Sequence, residues 1–382
     1  MAFDTKMFGE KLRRYREQLQ LSLDEVATKT GVVKSRLEDL EGGLNEPTGD
    51  EILIFSDFYK QDYVYFISNQ QKAASEQIDI LYRQYGTDFT KEDRWAIQEF
   101  MFLCECEELV FKAIEFEKID FDFIPSGNFY KAHGQQAAAK LRSKLGFQPI
   151  VAIPNPYQIL RKLGIHIFRR QLSNSNISGL FIAHPVAGKC VLINYSEDIY
   201  RQNFTLAHEI AHAIFDHQEN VNVSYEHYRS SQKLDLREVR ANEFASSFLI
   251  PKEIFSRVKG SQWTDESFRT LAKRLQVNAE PLSIAMMNAD AITYVQQEYF
   301  RTLKINPADK IDPELKDLSS KMYEAKSKLL QRGVSDFYVK KCYEAYDKGA
   351  ISSGRLADMM LCNENELVGL LNLFNLQLTY DN

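Results

Sequence analysis

The chain of 382 residues lacks any excess of positive charge: 47 Lys and Arg stand against 53 Asp and Glu, a net −6. Overall charge therefore gives no nucleic-acid footprint, and such contact needs a local basic patch. Cysteine is sparse and odd in number, with five residues at 104, 106, 190, 342 and 362. A scattered odd set is no disulfide framework, and Cys104-x-Cys106 is too close for common zinc spacing. The thiols are expected to be reduced packing residues. No run approaches roughly 18 apolar residues and the N-terminus has no apolar leader core, which predicts a cytoplasmic protein with no membrane contact. Low-complexity tracts and short-period repeats are absent as well. What remains is ordinary for a globular chain, 44% hydrophobic and 26% charged, over a length that suits roughly two or three domains.

The densest chemistry lies between Asn203 and Pro251. NFTLAHEIAHAIFDH contains His208-Glu209-x-x-His212. Residues four apart share a helix face, so both imidazoles can point at one metal ion. Ile210, Ala211, Ala213, Ile214 and Phe215 make the helix half-buried. Glu209 suits the general-base position over bound water. A third ligand must come from elsewhere. LREVRANEFASSFLIP reads as a second amphipathic helix, with Glu238 and Asn242 four apart. Glu238 is the candidate third ligand, and Asn242 the candidate acceptor for a ligand histidine's free N–H. Glu243 competes as a carboxylate but lies about 100° from Asn242 around the helix.

TLAHEIAH, followed by Glu238-x-x-Ala241-Asn242 and the run to Pro251, resembles the ImmA/IrrE family of bacterial metallopeptidases. ISGLFIAHPVAGKCVLINY resembles the strand region leading into that family's active-site helix. The resemblance implies a zincin-like, zinc-dependent endopeptidase, often linked to a helix-turn-helix repressor. It gives His208, His212 and Glu238 the metal-ligand roles and Glu209 the role of base. Two histidines and a carboxylate suit Mn²⁺ as well as Zn²⁺.

Phe8 to Phe58 reads as about five short helices. The first carries Phe8, Leu12, Tyr15 and Leu19 at helical spacing. Ser22 and Glu25 form a capping box, Gly31 makes a turn, and Gly42-Gly43 closes the helix from Val33 to Leu40. Asp50 is expected to cap EILIFSDFY. SLDEVATKTGVVKSRLEDLEGG resembles the XRE-type helix-turn-helix of lambda and 434 repressors. The resemblance implies a second helix in the major groove. It turns Lys34, Ser35 and Asp39 toward base edges and makes Arg36, Lys11, Arg13 and Arg14 phosphate contacts. Residues 1–36 carry eight Lys/Arg against five Asp/Glu, but residues 37–60 carry one against seven. That acidic flank repels DNA, so a module used for protein contacts stays open.

The expected fold is α+β and predominantly helical. A five-helix domain over 1–65 leads to a helical connector over 66–125, whose Phe100, Phe102, Leu103, Leu109, Val110 and Phe111 should pack on a neighbour or second subunit. A small mixed α/β domain over 126–305 holds three strands, IHIFRR, SGLFIAH and KCVLINYS. The strand Cys190 to Tyr195 is expected to offer its edge to a peptide beside the metal helix. His166 and His184 read as packing histidines. His217, Tyr225, His227 and Tyr228 are open candidates for an oxyanion donor. Residues 264–292 have a helix-turn-helix rhythm but are expected to pack. A break from Asn306-Pro307 to Pro313 opens a helical domain over 306–382, where Ser352 to Phe374 suits packing or dimerisation.

The function so implied is a DNA-binding transcription regulator that carries a zinc endopeptidase. Its partners are promoter DNA, a repressor or antitoxin-like substrate in a stress- or phage-linked response, and a second copy in a homodimer. The alternative is a regulator whose peptidase-like domain is a sensor or protein-binding module.

Overall fold

A computed structural model of the chain describes residues 3–69, 81–82, 88–174, 176–216, 221–225, 235–258 and 263–378. The fold is α+β and predominantly helical. Among the described residues no helix is long and apolar enough to cross a membrane.

The N-terminal bundle comprises α1 (Thr5–Gln18), α2 (Leu23–Thr30), α3 (Lys34–Glu41), α4 (Gly49–Tyr59) and α5 (Tyr63–Ile67). Its apolar stripes close on Phe8, Leu12, Tyr15, Leu37, Leu40 and Phe55. α1 crosses α3 at Gly9, where a Cβ would overlap the Leu40 and Glu41 carbonyls. Ser22 and Glu25 form the expected capping box, and Gly31 ends α2 at φ 75°. The cap of α4 differs from expectation. Thr48, not Asp50, accepts the Glu51 N–H, and the Glu51 carboxylate reaches back to the Thr48 N–H. Asp50 sits inside the first turn, where its charge favours the helix N-terminus.

α6 (Lys91–Ala113) joins this bundle to the rest. Near its start Arg94 donates to the Gln18 carbonyl at 2.8 Å and Gln98 to that of Tyr59 at 2.9 Å. Its later turns lie on a four-stranded sheet of order β1-β3-β2-β4. The strands are β1 (His166–Arg170), β2 (Ile177–His184), β3 (Gly188–Asn194) and β4 (Val221–Tyr225). β1 runs parallel to β3, and the other pairs are antiparallel. The segment Cys190 to Tyr195 therefore corrects the expectation: β3 is hydrogen-bonded on both sides and has no edge to offer. Among the described residues β4, beside the metal helix, is an edge strand.

Alternation along the strands gives the sheet two buried faces. Ile167, Phe181, Val191 and Ile193 face a core shared with α7 (Tyr130–Lys144), α9 (Ile199–Phe215) and α10 (Leu236–Leu249). The short α8 (Pro156–Leu160) precedes β1. Next come α11 (Asp265–Leu275) and α12 (Ala279–Asn288), the helix-turn-helix-like pair, which bury Phe268, Leu271, Leu282 and Met286 in this same core. α13 (Tyr294–Phe300) follows.

Phe168, Leu180, Ile182, Cys190 and Leu192 face the opposite way, onto α6. The C-terminal helices α14 (Ser320–Gln331), α15 (Asp336–Asp347), α16 (Ser353–Met359) and α17 (Glu364–Asn372) complete this second core. Tyr338, Cys342, Leu356, Met359 and Leu367 are buried there. The core thus crosses the divisions expected at 125 and 306, because neither α6 nor the back of the sheet can cover its apolar face alone. Arg169 ties β1 to Asp312 and Glu314, across the proline-containing break.

Candidate metal centre

α9 is capped by Asp198, which accepts from the Tyr200 and Arg201 N–H groups. Leu206 and Ile210 lie in the core between this helix and the sheet. His208 and His212, one turn apart, meet α10. Their Nε2 atoms face each other at 3.1 Å. Glu238, in the first turn of α10, brings Oε2 to 3.2 Å from His208 Nε2 and Oε1 to 3.3 Å from His212 Nε2. These three residues are the one group among the described residues able to hold a metal, with all ligand atoms within 4.8 Å of one another.

The other ring nitrogens explain this arrangement. His208 Nδ1–H donates to Asn242 Oδ1 at 3.0 Å, and His212 Nδ1–H to Asp216 Oδ2 at 2.9 Å. With the protons on Nδ1, both Nε2 lone pairs point to one place, where a carboxylate also points. Three electron-rich groups so close repel unless a cation sits between them. The donor set and its second contacts fit a divalent metal such as zinc. A proton can take the cation's place: burial disfavours charge on His212, but its bonds to Asp216 and Glu238 outweigh this and push its pKa up to about 10, so a metal binding here displaces that proton. Burial also opposes ionisation of Glu238, yet the two histidines hold its pKa well below the usual carboxylate range.

Asp216 was missed in the sequence. It lies four residues past His212, just beyond the end of α9, and receives a second bond from Arg240. Arg240 in turn lies over the Phe215 ring, its guanidinium 4.3 Å from the centroid. The signal was present in the spacing His212-x-x-x-Asp216 and in an arginine two residues after Glu238.

Glu209 is fully buried, and neither carboxylate oxygen has a hydrogen-bond partner among the described residues. Burial raises its pKa; the nearby histidines act against that. Its place is made by Gly179 on β2, where a Cβ would stand 3.2 Å from Glu209 Cγ and 2.9 Å from Thr205 Cγ2. Glu243 faces α7 instead, taking a hydrogen bond from Gln135 at 2.8 Å and an ion pair from Lys131 at 3.6 Å. His217, His227, Tyr228 and the side chain of Tyr225 lie outside the described residues.

On the N-terminal bundle, Lys34 and Ser35 are exposed at the start of α3. Lys34 pairs with Asp24 at 2.9 Å, and Arg36 with Glu51 at 2.8 Å. Asp39 accepts from Asn45 at 3.1 Å, and the exposed Arg13 donates to the Glu41 carbonyl at 3.0 Å. Arg14 is half-buried on α1. Lys11 is a correction: it is buried and donates to the Ser68 carbonyl at 2.6 Å and to that of Tyr65, so no phosphate can reach it.

Comparison with known families gives two matches. Residues 7–62 match a helix-turn-helix domain model. Residues 160–287, which contain β1 to β4 and the whole histidine–glutamate centre, match the peptidase M78 model, described as an IrrE N-terminal-like domain. No curated protein matched the chain. The chain therefore joins a region similar to helix-turn-helix domains to a region similar to IrrE N-terminal-like, metallopeptidase-like domains.

Proposed function

We propose that this protein is a transcription regulator whose metallopeptidase domain cleaves a repressor or antitoxin-like protein in a stress- or phage-linked response. The convergence of His208, His212 and Glu238, with both Nδ1 atoms already engaged, carries this reading. In it these three residues hold Zn²⁺, with Mn²⁺ as the substitute. Zinc, when bound, polarises a peptide carbonyl and lowers the pKa of water to about 7. Glu209 would take a proton from the attacking water and pass it to the leaving amine. Burial raises its pKa above the usual carboxylate value, which makes it the stronger base. Asn242 and Asp216 keep the two rings in register. The substrate strand adds to the edge of β4, the strand next to Gly179 and Glu209.

The N-terminal bundle would bring this activity to promoter DNA, with Lys34, Ser35 and Asp39 at base edges and Arg13, Arg14 and Arg36 at phosphates. One observation favours a second reading, in which the bundle docks on protein and the metal centre senses rather than cuts. Lys34 and Arg36 are already paired with Asp24 and Glu51. The Lys34 pair is exposed and costs little to open; the Arg36 pair is more enclosed. Incubating the purified chain with repressors encoded beside its gene, with zinc and with chelator, tests the main reading. Zinc-dependent cleavage is expected. Intact repressors beside fully metal-loaded protein would favour the sensor.

A further inference from the structure

At the end of the sheet where β2 turns into β3, a cleft of about 360 Å³ opens between α6, the segment after it and that turn. This volume lies within the range of sites for small organic molecules, about 300–1,000 Å³. Its apolar lining includes Ile119, Phe121, Leu163, Ile165 and Val186, and Ile214 extends the wall onto α9, the helix that carries His212. The wall is built rather than draped. The Ile119 N–H donates to the Lys162 carbonyl at 2.7 Å, and the Lys118 stem lies over Gly164, where a Cβ would come within 2.8 Å of Lys118 Cδ.

Four charged side chains line the cleft: Lys118, Lys189, Glu108 and Asp120. Glu108 is already served, by His166 Nε2 at 3.4 Å and Lys112 at 3.1 Å. The amines are not. Among the described residues neither Lys118 nor Lys189 has a hydrogen-bond or ion-pair partner. Lys189 is half-buried at the start of β3, and that burial lowers its pKa, while Asp122 and Asp120 are near enough only to act at a distance. Elsewhere this chain pairs its enclosed cations closely: Arg169 with Asp312 and Glu314, Arg170 with Glu99, Arg240 with Asp216. A partly desolvated ammonium without a partner is costly. With Glu108 already paired, the remaining charges of the lining are two amines and one carboxylate, Asp120, beside the apolar side chains, a surplus of positive charge.

We propose that this cleft is a binding site for a small organic anion, a carboxylate on a compact apolar body, held by Lys189 and Lys118. The carboxylate supplies the acceptors that the two amines lack, through charge-assisted hydrogen bonds. The apolar body fills the space between Ile119, Phe121 and Ile214. This assignment stands independently of whether the metal centre cuts peptides.

The test is a calorimetric titration of the full chain with acetate, phenylacetate and 4-methylpentanoate. The uncharged 4-methylpentanamide serves as a shape-matched control. At least one of the two larger acids should bind, and the amide should bind about tenfold or more weakly than its acid. Lys189→Met and the surface variant Lys118→Ala should each weaken acid binding by about tenfold, while both keep full metal content. Lys118 is exposed, so its variant keeps the test valid if Lys189→Met fails to fold. Absence of binding by all three acids would overturn the proposal. So would equal affinity for acid and amide, or unchanged affinity in the folded lysine variants.

Discussion

On one side of the sheet, His208 and His212 turn their Nε2 atoms toward each other at 3.1 Å and toward both oxygens of Glu238. On the other side, His166 and His184 also meet glutamates, supplied by α6. There, each ring is used up separately. His166 sits between Glu107 on Nδ1, at 2.7 Å, and Glu108 on Nε2, at 3.4 Å. His184 pairs with Glu105 through Nε2 at 3.1 Å, while its Nδ1 accepts the Val186 and Ala187 N–H groups. The two sides hold the same residue types at similar density. What separates them is direction: lone pairs that converge suit a metal, whereas nitrogens that each have their own partner make contacts that fasten α6 to the sheet.

The largest expected effect breaks this comparison at the metal side. His208→Ala or His212→Ala should abolish metal binding and Glu238→Ala should weaken it strongly, as read by elemental analysis. Glu243→Ala should leave it unchanged. His166→Gln should keep full metal content but lose about 3–5 kcal/mol of stability, the usual consequence of breaking a buried charge pair. Equal metal loss in His166→Gln and His208→Ala would erase the distinction.

Next in size are the residues behind the ligands. Asp216→Asn and Asn242→Ala should weaken metal affinity by about 10–100-fold, measured by competition with a chelator. Smaller again is Gly179→Ala. Its new Cβ would stand 3.0 Å from the Leu192 carbonyl oxygen and 2.9 Å from Thr205 Cγ2. Overpacking of this kind costs about 1–3 kcal/mol, so thermal stability should fall while metal content stays.

The remaining effect is in pH. Burial disfavours charge on His166, but Glu107 and Glu108 outweigh it and push its pKa up to about 10 from 6.5. A pKa raised in the fold adds stability that is complete below pH 6.5 and is lost as pH rises toward about 10. Denaturant titrations of the wild type should show that alkaline decline, and His166→Gln should flatten it.

The metal side was legible in the sequence because its signal is local. His208, His212, Glu238 and Asn242 each sit at a four-residue spacing on a helix, and such spacing fixes which side chains share a face. The capping box of Ser22 and Glu25 was readable for the same reason. What was misread depends on strand order or burial. KCVLINYS gives no sign that a parallel β1 will pair with its far side and take away its edge. Lys11 looks like a surface cation until α5 ends beside it with bare carbonyls. The break at Asn306-Pro307 is real as a loop. Yet the helices beyond it return to cover the sheet, because the apolar face of Phe168, Leu180 and Leu192 has to be buried by something. The His166 and His184 pairs were expected as packing, but their carboxylate partners come from a helix roughly 60–80 residues earlier and had no local cue.

The central claim is that the convergent ligands arm Glu209 for peptide hydrolysis. The most direct measurement compares wild type with Glu209→Gln, both loaded with one zinc per chain, in cleavage of the repressor or antitoxin-like substrate proposed above. The variant should keep its fold and metal while cleavage falls by about 10²–10⁴-fold, the range for losing a general base. A zinc-loaded Glu209→Gln protein that cleaves as fast as the wild type would contradict the account.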